Sequence, residues 1–441
     1  MKNSGNGQGM SKANMEVREM PKGLKKIGLG LVALGMCLAL LLTAAIPVCE
    51  ARPRAKEIVV GIRGCWTGPL AGVVGPFANG TKDYLRYLNE TQGGINGVPI
   101  KIAWYDNHSE GYKDIILHKR FVSAGAVLEY TYISAGAWAT LAMQERDKIA
   151  LFSNEIDPGM NTDPQWVWCT VPPWKCHTAT FVKWVKENWT EERPPRVGYV
   201  CYDNAAAIGG KDKIPEFCDK IGVEWVGFEI VPLFGCIDTS TELLRLAAKK
   251  PDWIYVDAYG VSEVTVCKDA ARLGLKDKGI KFCACPQSVD KIFVGTTGAS
   301  SEGWYAGRVI PSPWEDEYLG GAKTPEMAIA RKYIEKYRGL KPEEQSEWLP
   351  CGWAVGKIGC EAIRRALEKV GIDNLTGRAV RDALFSMTDW DTGIQPAPIT
   401  LSDEKPYFID YWLVYQVQQG KVVPVYPPVL YVSPSEFGGK L

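Results

Sequence analysis

The run Glu57-Ile58-Val59-Val60-Gly61-Ile62-Arg63, closed by the turn Gly64-Cys65-Trp66-Thr67-Gly68-Pro69, decides how this chain is organised. A short continuous apolar run has no polar face to offer water, so it reads as a strand buried on both sides. Beyond the turn, Tyr84, Leu85 and Leu88 carry the spacing of a helix over 81–91. The turn Gln92-Gly93-Gly94-Ile95-Asn96-Gly97 leads into a second strand, 100–105. A helix over 114–123, a strand over 126–133, a helix over 138–147 and a strand over 149–153 follow. Strict alternation of the two periods predicts parallel strands joined by helical crossovers.

A Pro-rich connection interrupts the alternation, which then restarts. Strands are predicted over 196–202, 223–230, 252–257 and 280–285, with helices over 212–221, 240–249 and 262–273 between them. Helical patterns at 329–337 and 355–370 belong to neither unit cleanly. The tail reads as a hairpin, 411–417 and 422–425, closed by Gln418-Gln419-Gly420-Lys421. The fold class is therefore α/β, with two doubly wound parallel-sheet lobes. Ligands in such sheets bind beyond the carboxyl ends of the strands, which directs attention to a cleft between the lobes.

The 441 residues carry 51 Lys/Arg against 51 Asp/Glu. Without the first 51 residues, 45 basic side chains face 48 acidic ones, and that near-neutral balance gives no field for gripping nucleic acid. Those first residues read as a signal peptide. Lys22, Lys25 and Lys26 precede an uncharged apolar run over 27–48, which ends in Cys49-Glu50-Ala51 with small residues at the −3 and −1 positions. Export to the periplasm is the expectation; an uncleaved membrane anchor is the alternative, because the run is long enough to span a bilayer.

Eleven cysteines follow that segment, an odd number that cannot pair completely. Most sit inside apolar strand or helix patterns, where a thiol behaves as a small buried hydrophobe. Cys169 and Cys176 flank Pro172-Pro173 and read either as one local disulfide or as two such thiols. The three histidines, His108, His118 and His177, lack the paired spacing of a metal site, and no cofactor motif is found.

Several short motifs then fall in a telling order. Thr67-Gly68-Pro69-Leu70-Ala71 and Gly93-Gly94-Ile95-Asn96-Gly97 precede Ile102-Ala103-Trp104-Tyr105-Asp106. Ser134-Ala135-Gly136 follows the third strand, Asp238-Thr239-Ser240 precedes a helix, and Ala270-Ala271 with Leu273-Gly274-Leu275 closes a unit. Over nearly the whole chain beyond residue 51, this resembles the branched-chain amino-acid-binding type of periplasmic receptor. The resemblance implies a type I periplasmic binding protein fold with a multi-strand hinge, 52–176 and 300–400 forming one lobe and 177–299 and 401–441 the other. It also implies capture of a small-molecule solute, delivery to a membrane-embedded ABC permease, and action as a monomer. A ligand-sensing module of the same fold, coupled to a signalling partner, is the alternative.

The resemblance places Ser134, with Ala135 and Gly136, against the ligand's polar head, where a strand meets a helix N-terminus whose N–H groups suit an anion. Where relatives continue that pocket with Ser-x-Ala-x-Thr, this chain has Ser153-Asn154-Glu155-Ile156-Asp157, and the carboxylate of Asp157 repels a ligand carboxylate. Relatives also carry an acid after the strand ending at Cys285; Pro286-Gln287-Ser288 stands there. Tyr259 matches the far-lobe tyrosine, and Asn204 stands where a second aromatic is expected. Trp66 and Trp138 either stack on the ligand or pack locally. The candidate set is thus Trp66, Ser134, Ala135, Gly136, Trp138, Glu155, Ile156, Asp157, Asn204 and Tyr259, with an apolar or aromatic solute bearing one polar end.

Enzymatic readings find no support. Gly61-x-x-Gly64-x-x-x-Gly68 lacks the close spacing of a dinucleotide loop, and neither a phosphate loop nor a Gly-x-Ser-x-Gly elbow is present.

Overall fold

The computed structural model describes residues 56–441 apart from 155–159, 161–164, 287, 310–323, 342–343, 396, 403–404, 434–435 and 437–441. The expected signal segment therefore lies outside the described residues.

The first lobe begins with β1 (Ile58–Gly64), buried along its entire length as its unbroken apolar run requires. It continues through α1 (Ala71–Gln92), β2 (Ile100–Asp106), α2 (Asp114–Ala124), β3 (Ala126–Thr131), α3 (Ser134–Asp147), β4 (Ala150–Ser153) and β5 (Val167–Cys169). The five strands form one parallel sheet in the order β2-β1-β3-β4-β5. Helix α1 starts ten residues before its legible stretch, because Gly72, Gly75, Pro76 and Gly80 hide the helical pattern of its first half.

The second lobe opens with α4 (Trp174–Glu187), the helix concealed in the Pro-rich connection. It is buried almost all round, so it lacks the polar stripe that marks a surface helix. Then come β6 (Arg196–Tyr202), α5 (Ala205–Gly209), α6 (Ile214–Ile221), β7 (Glu224–Val231), α7 (Ser240–Ala248), β8 (Trp253–Asp257), α8 (Val261–Arg272), β9 (Lys281–Ala284), α9 (Lys291–Thr297) and β10 (Tyr305–Arg308). The chain returns to this sheet at its end as β11 (Tyr411–Gln418), β12 (Lys421–Pro424) and β13 (Val429–Leu430). The order is β12-β11-β10-β9-β8-β6-β7, parallel from β6 to β10, with β11 antiparallel to β10, β12 and β13.

Between β10 and β11 the chain revisits the first lobe as α10 (Pro325–Arg338), α11 (Trp348–Val370) and α12 (Gly377–Leu384). Helix α11 lies on α1 with the two backbones in contact. A Cβ on Gly80 would overlap the Leu349 carbonyl, and one on Gly352 would overlap that of Phe77. Thr81 Oγ1 donates to the Gly352 carbonyl at 2.9 Å across the same crossing.

The chain thus passes between the two sheets three times: after β5, after β10, and before β11. The first and third crossings run side by side, Cys169 N donating to Pro406 O at 2.7 Å and Phe408 N to Cys169 O at 3.1 Å.

Two expected boundaries shift. The sequence reading puts residues 300–309 in the first lobe, but β10 pairs with β9 and β11 in the second sheet. It puts residues 401–408 in the second lobe, but Leu401 N donates to Met387 O and Tyr407 bridges Cys169. A four-residue strand flanked by Gly303 and Gly307 is too short for its period to show. The disulfide alternative for Cys169 and Cys176 is also overturned. The eleven cysteines among the described residues are buried and no disulfide joins any two of them, and the Cys169 thiol donates to the Asn154 carbonyl at 3.2 Å.

Candidate functional site

Between the lobes lies a cavity of about 650 Å³. Its first-lobe wall is Pro69, Leu70 and Gly72, the turn after β1 and the start of α1. Its second-lobe wall comes from the segments that follow β7, β8 and β9, including Phe234, Tyr259, Glu263, Val289 and Ile292. In both sheets these segments leave the carboxyl ends of parallel strands, where topology leaves backbone and side chains unpaired and facing outward. The lining is mostly apolar. Phe234, Val261 and Ile292 are more than half exposed at its lip, an arrangement that favours a guest or lobe closure to cover them.

Behind the cavity, three aromatic rings pack together. Tyr259 meets Tyr202 edge-on at 5.1 Å, and Trp174 lies 6.3 Å from Tyr259 and 6.0 Å from Tyr202. Tyr202 ends β6 and Trp174 opens α4 directly after the first crossing. The aromatic support sought near Asn204 is therefore supplied from elsewhere.

Glu263 is the buried acid of this wall. It sits in the first turn of α8, is 2% exposed, and accepts the Val289 N–H at 3.1 Å. Burial pushes its carboxyl well above the usual carboxylate range, Asp290 adds to the push, and the Val289 and Ser288 hydrogen bonds oppose it. Val289 has φ of 51°, the left-handed region that a β-branched side chain rarely enters. It is held there from both ends, because its carbonyl accepts Arg308 Nη2 at 2.6 Å. Arg308 in turn pairs with Glu347, which precedes α11 on the first lobe. A hydrogen-bonded line thus runs from the cavity wall to the opposite lobe. Asp290 caps α9, accepting Phe293 N at 2.8 Å.

Of the sequence-derived set, Tyr259 lines this cavity. Trp66 is turned into its own lobe, its indole N–H donating to Asn79 Oδ1 at 2.6 Å and its ring edge-on to Trp104 at 5.2 Å; of its two readings, local packing is the one observed. Asn204 accepts the Ala207 N–H at 2.7 Å and caps α5. Ser134, Ala135, Gly136 and Trp138 occupy the first turns of α3, with Ala135 and Trp138 exposed, and are not part of the cavity wall. Glu155, Ile156 and Asp157 lie outside the described residues. Glu263 escaped notice because one acid in the first turn of an ordinary helix carries no pattern; its burial is the signal, and sequence does not show it.

The ground beneath Ser134–Gly136 is itself charged. A Cβ on Gly136 would overlap the carboxylate of Asp114, which accepts from Thr131 Oγ1 at 2.7 Å and from Asn107 Nδ2 at 3.0 Å. Arg63 lies beyond, 3.7 Å from Asp114 and paired with Glu129, and burial lowers its guanidinium to about 10. Burial raises the Asp114 carboxyl and the neighbouring Arg63 opposes that, so the first turn of α3 packs against a buried acid of the protein's own.

No curated protein sequence matches the chain. Among solved structures, a branched-chain amino acid ABC transporter protein from Thermus thermophilus with bound valine is similar at 16% identity, with a TM-score of 0.74, over 86% of this chain and 97% of that one. A solute binding protein from Rhodopseudomonas palustris in complex with 4-hydroxybenzoate is similar at 16% identity and a TM-score of 0.71, over 86% and 98%. These likenesses speak for the fold. The sequence profile of periplasmic binding proteins matches residues 57–421. Two doubly wound lobes, three crossings and an open cavity at the strand ends agree with that match, and the chain belongs to the periplasmic binding protein family.

Proposed function

We propose that the protein is the extracytoplasmic solute-binding component of an ABC importer, holding one small organic solute between its lobes and passing it to a membrane permease. The observation that carries this reading is the cavity of about 650 Å³ with walls from both lobes, a size that suits a small ligand. Closure of the lobes over it would bury Phe234, Val261 and Ile292 together with the guest. Tyr259, backed by Trp174 and Tyr202, gives the guest a rigid face to stack on. Family membership and the small-molecule ligands bound in the similar structures support the same reading.

The test is a thermal-shift screen of small metabolites followed by calorimetry. A true solute in hundredfold excess over its Kd stabilises the protein by about 2.7 kcal/mol. Tyr259→Ala should weaken that solute at least tenfold. A broad screen with no stabilising compound would sink the proposal.

A further inference from the structure

We propose that the side chain of Lys82 is a modification site for carbon dioxide, which it binds reversibly as a carbamate. The site stands apart from the inter-lobe cavity: Gly72, the α1 residue at the cavity wall, lies ten residues earlier, roughly 15 Å along the helix. Asn79, Lys82, Asp83 and Arg86 share one face of α1, at spacings of three and four residues. The Lys82 amine lies 3.2 Å from the ring centre of Trp104 on β2 and 5.9 Å from that of Trp66. Arg338, at the end of α10, grips the buried Asp83 with two hydrogen bonds, Nε to Oδ2 at 2.7 Å and Nη2 to Oδ1 at 2.8 Å. Its Nη2 also donates to the Asn79 carbonyl at 3.2 Å.

Three cations, Lys82, Arg86 and Arg338, thus gather round one carboxylate that Arg338 already occupies. Among the described residues no carboxylate stands within ion-pair distance of Lys82, and Arg86 covers the Tyr337 ring at 3.9 Å instead of meeting an acid. The Trp104 face favours an ammonium. Burial, then the Arg338 and Arg86 guanidiniums, work against one and lower Lys82 from 10.5 to about 8, with Asp83 opposing them. At pH 8 about half of such amines are neutral, against less than about one-hundredth of ordinary lysines. The neutral nitrogen attacks the carbon of CO2: an N–C bond forms, one C=O π pair moves onto oxygen, and a proton leaves to water. The product carries a negative charge where a positive one stood, so repulsion by Arg86 and Arg338 becomes attraction. Arg86, four residues on and without a carboxylate partner, is the guanidinium placed to hold the planar carbamate.

The intact protein is equilibrated with 13C-labelled carbon dioxide at pH 8, its carbamates are fixed with a trialkyloxonium salt, and its peptides are read by mass spectrometry. The ethyl carbamate should occur on Lys82 at least tenfold more often than on any other lysine. It should fall at least tenfold at pH 6 under the same CO2 pressure, as the amine takes up its proton. Arg86→Gln should lower the occupancy at least threefold. Lys82→Arg, which keeps a cation beside Trp104, should erase the matching carbamate resonance in 13C NMR. A Lys82 without adduct, or with one as rare as on other lysines, overturns the proposal. So does occupancy unchanged in Arg86→Gln, or a carbamate resonance that persists in full in Lys82→Arg. Should either variant not fold, the spectra of the parent chain still decide.

Discussion

The hydroxyl of Tyr431 lies 2.8 Å from Nδ1 of His177, whose Nε2 lies 2.8 Å from the Pro172 carbonyl. The carbonyl only accepts, so Nε2 carries the proton and Tyr431 donates to Nδ1. The imidazole is neutral and both its nitrogens are satisfied. It ties the chain's last strand segment to the first crossing between the lobes.

Burial lowers His177 from 6.5 to about 3, and also lowers His118 to about 4 despite its hydrogen bond to Asp147. The unfolded chain therefore binds protons near pH 6.5 that the folded chain refuses. Stability from this source is complete above that pH and is lost as pH falls from 6.5 towards 3. By pH 5 the loss at His177 is on the order of 2 kcal/mol. Thermal melts between pH 7 and 4 should show it, with a shallower acid slope in His177→Gln.

Arg308 and Glu347 form a nearly buried ion pair between β10 and the start of α11. Glu347→Leu alone removes the carboxylate paired with a buried guanidinium and should cost up to roughly 3–5 kcal/mol. Arg308→Met with Glu347→Leu should recover most of it, since an apolar pair of similar volume replaces the charges. Urea unfolding of the two variants makes the comparison. Equal loss in both would show that the pair's charge is not what matters there.

Two glycines of α1 should answer substitution in opposite ways. Gly80→Ala adds helix propensity worth about 1 kcal/mol, yet its Cβ meets the Leu349 carbonyl. Overpacking costs about 1–3 kcal/mol and more where backbone must move, so net destabilisation is expected in chemical denaturation. A Cβ on Gly72 would meet nothing within 4 Å, and this glycine lines the cavity. Gly72→Trp should leave the melting temperature of the empty protein unchanged or raise it, while cutting solute affinity at least tenfold by calorimetry.

The strained Val289 peptide is held by Glu263 and Arg308 together. Val289→Pro would remove the N–H that Glu263 accepts and force φ back to about −65°. Both solute affinity and stability should fall, the latter by more than about 1 kcal/mol. A binding isotherm unchanged from that of the parent chain would detach this turn from the site.

Much of the architecture was readable because it depends on period. The continuous apolar run of β1 and the spacing of Tyr84, Leu85 and Leu88 report burial directly, and the restart at β6 reports a second lobe. Where burial erases period, reading fails: α4 is wrapped on nearly all sides, and β10 is four residues long. Cys169 and Cys176 show the same limit, since their flanking prolines say nothing about the direction of either thiol. The site was less legible than the fold. Tyr259 was found by its match to the far-lobe tyrosine of the receptors the chain resembles, whereas Trp174 and Glu263 join the site only because two crossings and a helix turn carry them there.

By itself, the order of apolar runs and turns determined that this chain makes two parallel-sheet lobes that meet at their strand ends, because alternation and strand burial are local consequences of which residues need water. Tertiary structure alone decided which acid faces the cleft and which cation is turned away from it. Those depend on distances between residues far apart in the chain, such as Arg308 and Glu347, and on desolvation that no local pattern encodes.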